Sequence, residues 1–328
     1  MNKTRVISLA ALIAFLLLLP RLVNPYVLQI VILTITYSML GLAFALSLKV
    51  GLPRFDVAGW WAIGAYATAI LVIKTGMSFW LTIPIGALVA VLLGFFVFSV
   101  IIPRGMMVFL LFGMVLTLGI QQILTLTFFG SWGGPGVVKP AAIGSFVFNK
   151  KPSLYYMGLA FLFLNLIVYR ALFVSRIGRA WNAIGSSLKL AESMGINVVR
   201  YRVANVLIGN FFLALAGSYY AAYNQAVSPT TFSFPSTVYV MMYLVVGGLT
   251  SSLAGPMIGA LIVTFIPEYL RMAKEYEPIV TGVAIILIII FMPKGVMGVL
   301  DAWIKPRLLR TKTMGQFFTP KHEGRASS

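Results

Sequence analysis

Val203-Ala-Asn-Val-Leu-Ile-Gly-Asn210 opens a run that reaches Pro267 without one Asp, Glu, Lys, Arg or His. Roughly 20 apolar residues cross a bilayer once. These 65 residues are too many for one crossing, so the run must fold back inside the membrane. It is interrupted by Val246-Gly-Gly-Leu-Thr-Ser-Ser-Leu-Ala-Gly-Pro256, a string of helix breakers in apolar sequence. Broken helices at membrane depth are tolerated only where they are buried in protein or line a cavity. The pattern therefore points to a transport path in an all-α integral membrane protein.

Composition agrees. The chain is 60% hydrophobic and only 10% charged, where soluble domains carry about 25% charged residues. No soluble fold hides that much apolar surface. With no cysteine, there is no disulfide framework, thiolate metal site or thiol nucleophile. The single His322 lies in the C-terminal tail. The net charge of +18 sits between apolar runs, as in proteins oriented by their basic loops. No basic-aromatic face suggests nucleic acid. Lys3 and Arg5 precede an apolar stretch, but the exit Leu19-Pro20-Arg21 lacks the small residues of a cleavage site. The stretch reads as an uncleaved first helix.

The spacing predicts ten transmembrane or re-entrant segments, near 6–22, 26–48, 57–73, 77–102, 105–129, 154–170, 203–223, 235–249, 255–267 and 278–293. The eighth and ninth are short enough to be half-helices or a re-entrant pair. Residues 1–303 form the permease domain on this reading, with 170–202 as a cytoplasmic loop and 304–328 as a basic cytoplasmic tail. Arg170, Arg176, Arg179, Lys189, Arg200 and Arg202 against Glu192 place the loop inside. Both termini then fall inside as well. One loop resists, because 130–153 falls outside yet holds Lys139, Lys150 and Lys151 and no acid. The tryptophans Trp60, Trp61 and Trp303 near one boundary, and Trp80 and Trp132 near the other, fit an interfacial belt. Ile63-Gly64-Ala65 recurs as Ile258-Gly259-Ala260. Five helices per half would give an inverted repeat.

The spans hold almost no ionisable groups, although ion-coupled carriers keep such groups for the coupling ion. Asp56 is the only acid near a span in the first 191 residues, and no phosphate-binding Gly-x-x-x-x-Gly-Lys-Ser/Thr loop occurs. A pore that takes its energy from another subunit fits both observations. The loop 170–202 is where that energy would enter. Ala180, Ile184, Leu188 and Ala191 make one apolar stripe of a short helix, and Gly195 stands where a helix end takes a left-handed residue.

At this point the residues resemble a known family. Gly178-Arg-Ala-Trp-Asn-Ala-Ile184, Met194-Gly-Ile-Asn197 and Arg200-Tyr201 resemble the cytoplasmic loop of the permeases of branched-chain amino acid ABC importers. Ser228-Pro-Thr-Thr-Phe-Ser-Phe234, the Val246–Ala260 block, Pro267-Glu268 and Pro293-Lys-Gly-Val-Met-Gly298 are similar to its later blocks, and Gly51-Leu52 with Ala62-Ile-Gly-Ala-Tyr66 to its first. The order holds from about Tyr26 to Val299, most like the LivM-like subunit. The family's small residues after Gly51-Leu52 are replaced here by Pro53-Arg54-Phe55-Asp56, and its charges after Ile184 by Gly185-Ser186-Ser187.

The resemblance implies a non-catalytic subunit in a bacterial cytoplasmic membrane. It would work with a second homologous permease, two cytoplasmic ATP-binding subunits and an extracytoplasmic binding protein. ATP would be bound by those partners, with no cofactor in this chain. Branched-chain or other small hydrophobic amino acids would cross by alternating access, and the coupling contacts would come from Arg179, Trp181, Ile184, Leu188, Glu192 and Gly195. Candidates for the substrate path are Asp56, Gly64, Tyr66, Gly247, Gly248, Ser251, Ser252 and Gly255. Each has a plainer reading: Asp56 as a helix cap or partner of Arg54, the glycines as close-packing residues. Permeases for urea or short amides, and a stand-alone channel, are the alternatives.

Overall fold

The computed structural model describes residues 16–130, 142–143, 146–147, 150–248, 253–270 and short helical pieces between 282 and 298. Ser251, Ser252, Lys139, Trp132, Trp303, His322 and the tail lie outside the described residues.

Helix α1 is seen over residues 16–22. It is followed by α2 (Pro25–Leu48), α3 (Val57–Ile70), α4 (Phe79–Ile101), α5 (Met106–Leu124) and α6 (Lys151–Val174). Then come α7 (Arg176–Ser186), α8 (Leu188–Ser193), α9 (Val198–Asn224), α10 (Phe234–Gly247) and α11 (Ala254–Leu270). A two-residue antiparallel pair, Ala142–Ile143 with Phe146–Val147, is the only strand pairing among the described residues. Six helical stretches there are long and apolar enough to cross a membrane: Pro25–Leu48, Val57–Thr75, Phe79–Arg104, Met106–Thr127, Lys151–Val174 and Val198–Asn224. They match six of the ten expected segments, and α10 and α11 are the short pair.

The helices are not equally deep. In α2, 78% of the apolar window is buried inside the protein, and in α5 only 17%. So α2, α3 and α9 form the centre, and α4 and α5 show Phe96, Met107, Leu111 and Val115 to the hydrocarbon. In hydrocarbon an unpaired polar group costs several kcal/mol (order of magnitude), and α2 avoids this locally. Its Thr34, Thr36 and Ser47 hydroxyls donate to the carbonyls of Ile30, Ile32 and Ala43 one turn back. Carbonyls at its end and just beyond are met from α9: Asn205 Nδ2 donates to Leu46 O (3.0 Å) and Arg202 Nε to Val50 O (3.2 Å).

The helices meet through glycines. A Cβ on Gly64 would run into the carbonyl of Ala214, and one on Gly217 into that of Trp61, so α3 and α9 cross backbone to backbone. The same holds for Gly247 against Gly255 O and Gly259 against Tyr243 O, where α10 meets α11. Both Ile-Gly-Ala triplets thus place their glycine at a close helix crossing, as small residues do in membrane proteins.

Two expectations change. Trp60 and Trp61 are 1% and 2% exposed, in the core rather than in an interfacial belt. The Trp60 indole donates to Asp56 Oδ2 at 2.6 Å, and Trp61 is packed by the rings of Tyr37, Tyr220 and Phe232. The apolar stripe 180–191 does not lie on one helix. The chain breaks at Ser187, which is extended (φ −160°, ψ 119°) and whose hydroxyl accepts from Leu190 N to start α8. The break turns Leu188 outward at 40% exposure, while Ala180, Ile184 and Ala191 stay buried.

Candidate functional site

Asp56 stands at the N-terminus of α3 but makes no side-chain capping bond there. Its carboxylate takes a two-pronged contact from Arg54, Nε to Oδ1 at 2.8 Å and Nη2 to Oδ2 at 2.6 Å. Arg54 also donates from Nη2 to Asn210 Oδ1 (2.5 Å) and from Nη1 to Val206 O (3.4 Å), both on α9. The Phe98 ring lies 5.8 Å from its guanidinium carbon. Arg54 and Asp56 are 0% and 1% exposed, and theirs is the one salt bridge among the described residues. Burying two charges is costly unless geometry and extra hydrogen bonds compensate, and here both are supplied. Every oxygen of Asp56 is thus engaged by the protein itself.

The helical break lies at membrane depth. Pro256 faces Gly41 of α2, with its Cβ 3.2 Å from where a Cβ of Gly41 would sit. Gly41 is seven residues from the end of α2, about 10 Å at 1.5 Å per residue. Gly248 breaks the helix with φ +108°, a conformation open to glycine at little cost. Gly295 packs onto it with φ +70°, so close that a Cβ there would overlap Gly248 Cα and N. Gly295 thus closes over the break.

Beside these glycine crossings lies a cavity of about 350 Å³, built by α2, α3, α10, α11 and the short turn Pro229–Phe232. Tyr37, Trp61, Tyr239, Val240, Tyr243 and Thr264 are among its lining residues, and none of the lining residues is charged. The buried Trp61 indole N–H has no hydrogen-bond partner among the described residues. An apolar, aromatic cavity with a few polar groups is the usual form of a small-molecule site.

The structure therefore separates the residues that sequence reasoning had grouped. Gly247, Gly255 and Gly259 hold α10 against α11, which brings Val240, Tyr243 and Thr264 to the cavity wall. Gly64 serves the α3–α9 crossing. Tyr66 is 2% exposed and lies against Phe232, ring centroids 5.8 Å apart. Asp56 belongs to the ion pair with Arg54. The lining residues Tyr37 and Tyr243 carried no signal in the sequence, being aromatic residues in apolar helices, and Trp61 read only as an interfacial residue.

The loop between α6 and α9 folds onto the C-terminal end of α2. Ser175 caps α7, accepting from Gly178 N at 3.3 Å, and Asn197 caps α9, accepting from Arg200 N at 3.1 Å. Gly195 ends α8 at φ +78°, donating its N–H to Glu192 O at 2.9 Å. Trp181 is fully buried and donates to Tyr201 O at 3.0 Å. Gly185 rests on the carbonyl of Lys49 with no room for a Cβ. Outward-facing residues include Arg179, Leu188, Leu190, Glu192 and Met194. Trp181→Phe, which removes the hydrogen bond and part of a fully buried ring, is expected to lower stability by more than the ~1 kcal/mol of the hydrogen bond alone, read as a drop in melting temperature in detergent. Asn197→Ala removes a helix cap and should cost ~1 kcal/mol.

The model of the family described as "Branched-chain amino acid transport system / permease component" matches residues 26–292. The chain belongs to this family. The permease is 30% identical over 322 residues to the Escherichia coli K12 high-affinity branched-chain amino acid transport system permease protein LivM, covering 88% of this chain and 74% of that one. It is 34% identical over 127 residues to LivH of the same strain, covering 38% and 40%. A probable branched-chain amino acid transport permease protein LivH of Methanocaldococcus jannaschii is 26% identical over 307 residues, covering 84% and 94%. No solved structure matches the permease.

Proposed function

We propose that the permease is the LivM-like membrane subunit of an ABC importer for branched-chain or other small hydrophobic amino acids, and that the uncharged cavity between α2, α3, α10 and α11 is part of the path. The observation that carries this reading is the cavity itself, an aromatic and aliphatic chamber in a member of the family. A second permease, two ATPases and an external binding protein would complete the importer. The outward residues of α7 and α8 would receive the ATPase, whose motion would pass through Gly185 and Lys49 to α2. Ten crossings or re-entrant segments, with both termini in the cytoplasm of a bacterial inner membrane, complete the proposal. The urea and amide alternative is not favoured, because the relatives above are all named for branched-chain amino acids.

The test is reconstitution with co-expressed partner subunits in liposomes. Leucine uptake should require ATP and the binding protein. ATP-independent flux through this chain alone would overturn the reading. Thr264→Trp narrows the cavity, so uptake should fall at least about tenfold, equivalent to ~1.4 kcal/mol, while the subunits still co-purify. Unchanged uptake would remove the cavity from the path.

A further inference from the structure

On the outer surface of the bundle, away from that path, α4, α6 and α9 enclose a second hollow of about 460 Å³. Val91, Leu164, Val168 and Phe211 line it, and no lining residue is polar. At Leu207 it joins a third hollow of about 340 Å³, which ends on Ser99 and Arg200. The two form one groove with an apolar body and a cationic end. Eleven residues of α9 separate Arg200 from Phe211, about 16 Å along a helix, close to half of the ~30 Å hydrocarbon core. The groove is therefore one leaflet deep. The Arg200 guanidinium and Ser99 hydroxyl have no partner among the described residues. Arg104, exposed at the end of the same α4 stretch, adds a second cation on that side.

We infer that this groove binds an anionic phospholipid, with an acyl chain along Leu207 and Phe211 and the phosphate on Arg200 and Ser99. The occupant follows from shape and charge together. A lipid tail fills an all-apolar channel one leaflet long, and an anion at the membrane boundary answers an unpaired guanidinium. Basic residues at the inner face of a bilayer attract anionic lipids in this way. The inference needs only that α4, α6 and α9 sit in a bilayer, so it stands or falls apart from the import reading.

Native mass spectrometry of the full-length chain tests it, with equal dioleoylphosphatidylglycerol and dioleoylphosphatidylcholine offered in detergent. Phosphatidylglycerol should be retained about fivefold over phosphatidylcholine, the factor one interfacial cation is worth to an anionic lipid. Arg200→Gln should abolish the preference and Arg200→Lys should keep it. Leu207→Trp should lower retention of both lipids. A preference equal in Arg200→Gln and the parent chain overturns the proposal, as does equal retention of the two lipids by the parent. Displacement of phosphatidylglycerol by inorganic phosphate would mark a soluble-anion site and overturn it too. In the assembled importer, a photoreactive phosphatidylglycerol should label the Leu207 peptide. A protein cross-link there in its place would assign the groove to another subunit.

Discussion

Asp56→Ala should cost the fold about 3–5 kcal/mol, the loss expected when one partner of a buried ion pair is removed. The size follows from what is left behind. Arg54 would keep its contacts to Asn210 and Val206 but would hold an uncompensated charge at 0% exposure. Trp60 would lose the acceptor of its indole N–H. Proteins are stable by only about 5–15 kcal/mol, so this is a large share of the total. Asp56→Asn should cost less, because an amide oxygen still accepts from Trp60 and Arg54. Removing both charges in Arg54→Met/Asp56→Leu should recover much of the loss, since apolar replacement of a buried pair is often neutral. Thermal unfolding of the parent and the three variants in detergent ranks these costs. A double variant no better than Asp56→Ala would mean that the carboxylate acts outside the pair. Uptake by Asp56→Asn, normalised to folded protein, separates this role from a substrate contact. A changed substrate range there would return Asp56 to the path.

Gly259→Ala should be the second severe change. The new methyl would overlap the backbone carbonyl of Tyr243, which no rotamer change can relieve. Overpacking typically costs about 1–3 kcal/mol, and more where backbone must move. Because α10 and α11 both line the cavity, their separation should also impair uptake. Gly295→Ala adds backbone strain at φ +70°, about 1–2 kcal/mol for an L-residue in the left-handed region. Gly119→Ala is the control: nothing lies within 4 Å of its Cβ, so melting temperature and uptake should stay near the parent's. If Gly259→Ala and Gly119→Ala unfold at the same temperature, the α10–α11 crossing is looser than described.

Much of the fold was legible because hydrocarbon allows so few backbone solutions. The expected segments 26–48, 57–73 and 77–102 correspond to Pro25–Leu48, Val57–Thr75 and Phe79–Arg104. Length and hydropathy decide such spans almost alone. What was not legible depended on partners far along the chain. Trp60 and Trp61 looked interfacial by position, yet a carboxylate and three rings draw them into the core. The stripe from Ala180 to Ala191 looked like one helix, and a single serine cap at Ser187 divides it. Gly64, Gly247 and Gly255 were visible as breaks or close contacts. The cavity they help to shape was not, because an aromatic residue facing a hollow has the same spelling as one facing a neighbour.

The buried charges also impose a timetable on synthesis. Arg54 and Asp56 are two residues apart, so they leave the ribosome together and can enter the membrane as a neutral pair. Asn210, which completes the site, follows 156 residues after Arg54. At about 5–20 residues per second, that is a wait of roughly 8–30 s. For that interval the guanidinium is neutralised but not fully hydrogen-bonded, and α3 lacks the helix that later packs along it. The arginine's counter-charge is thus written into the chain two positions away, available long before its partners on α9.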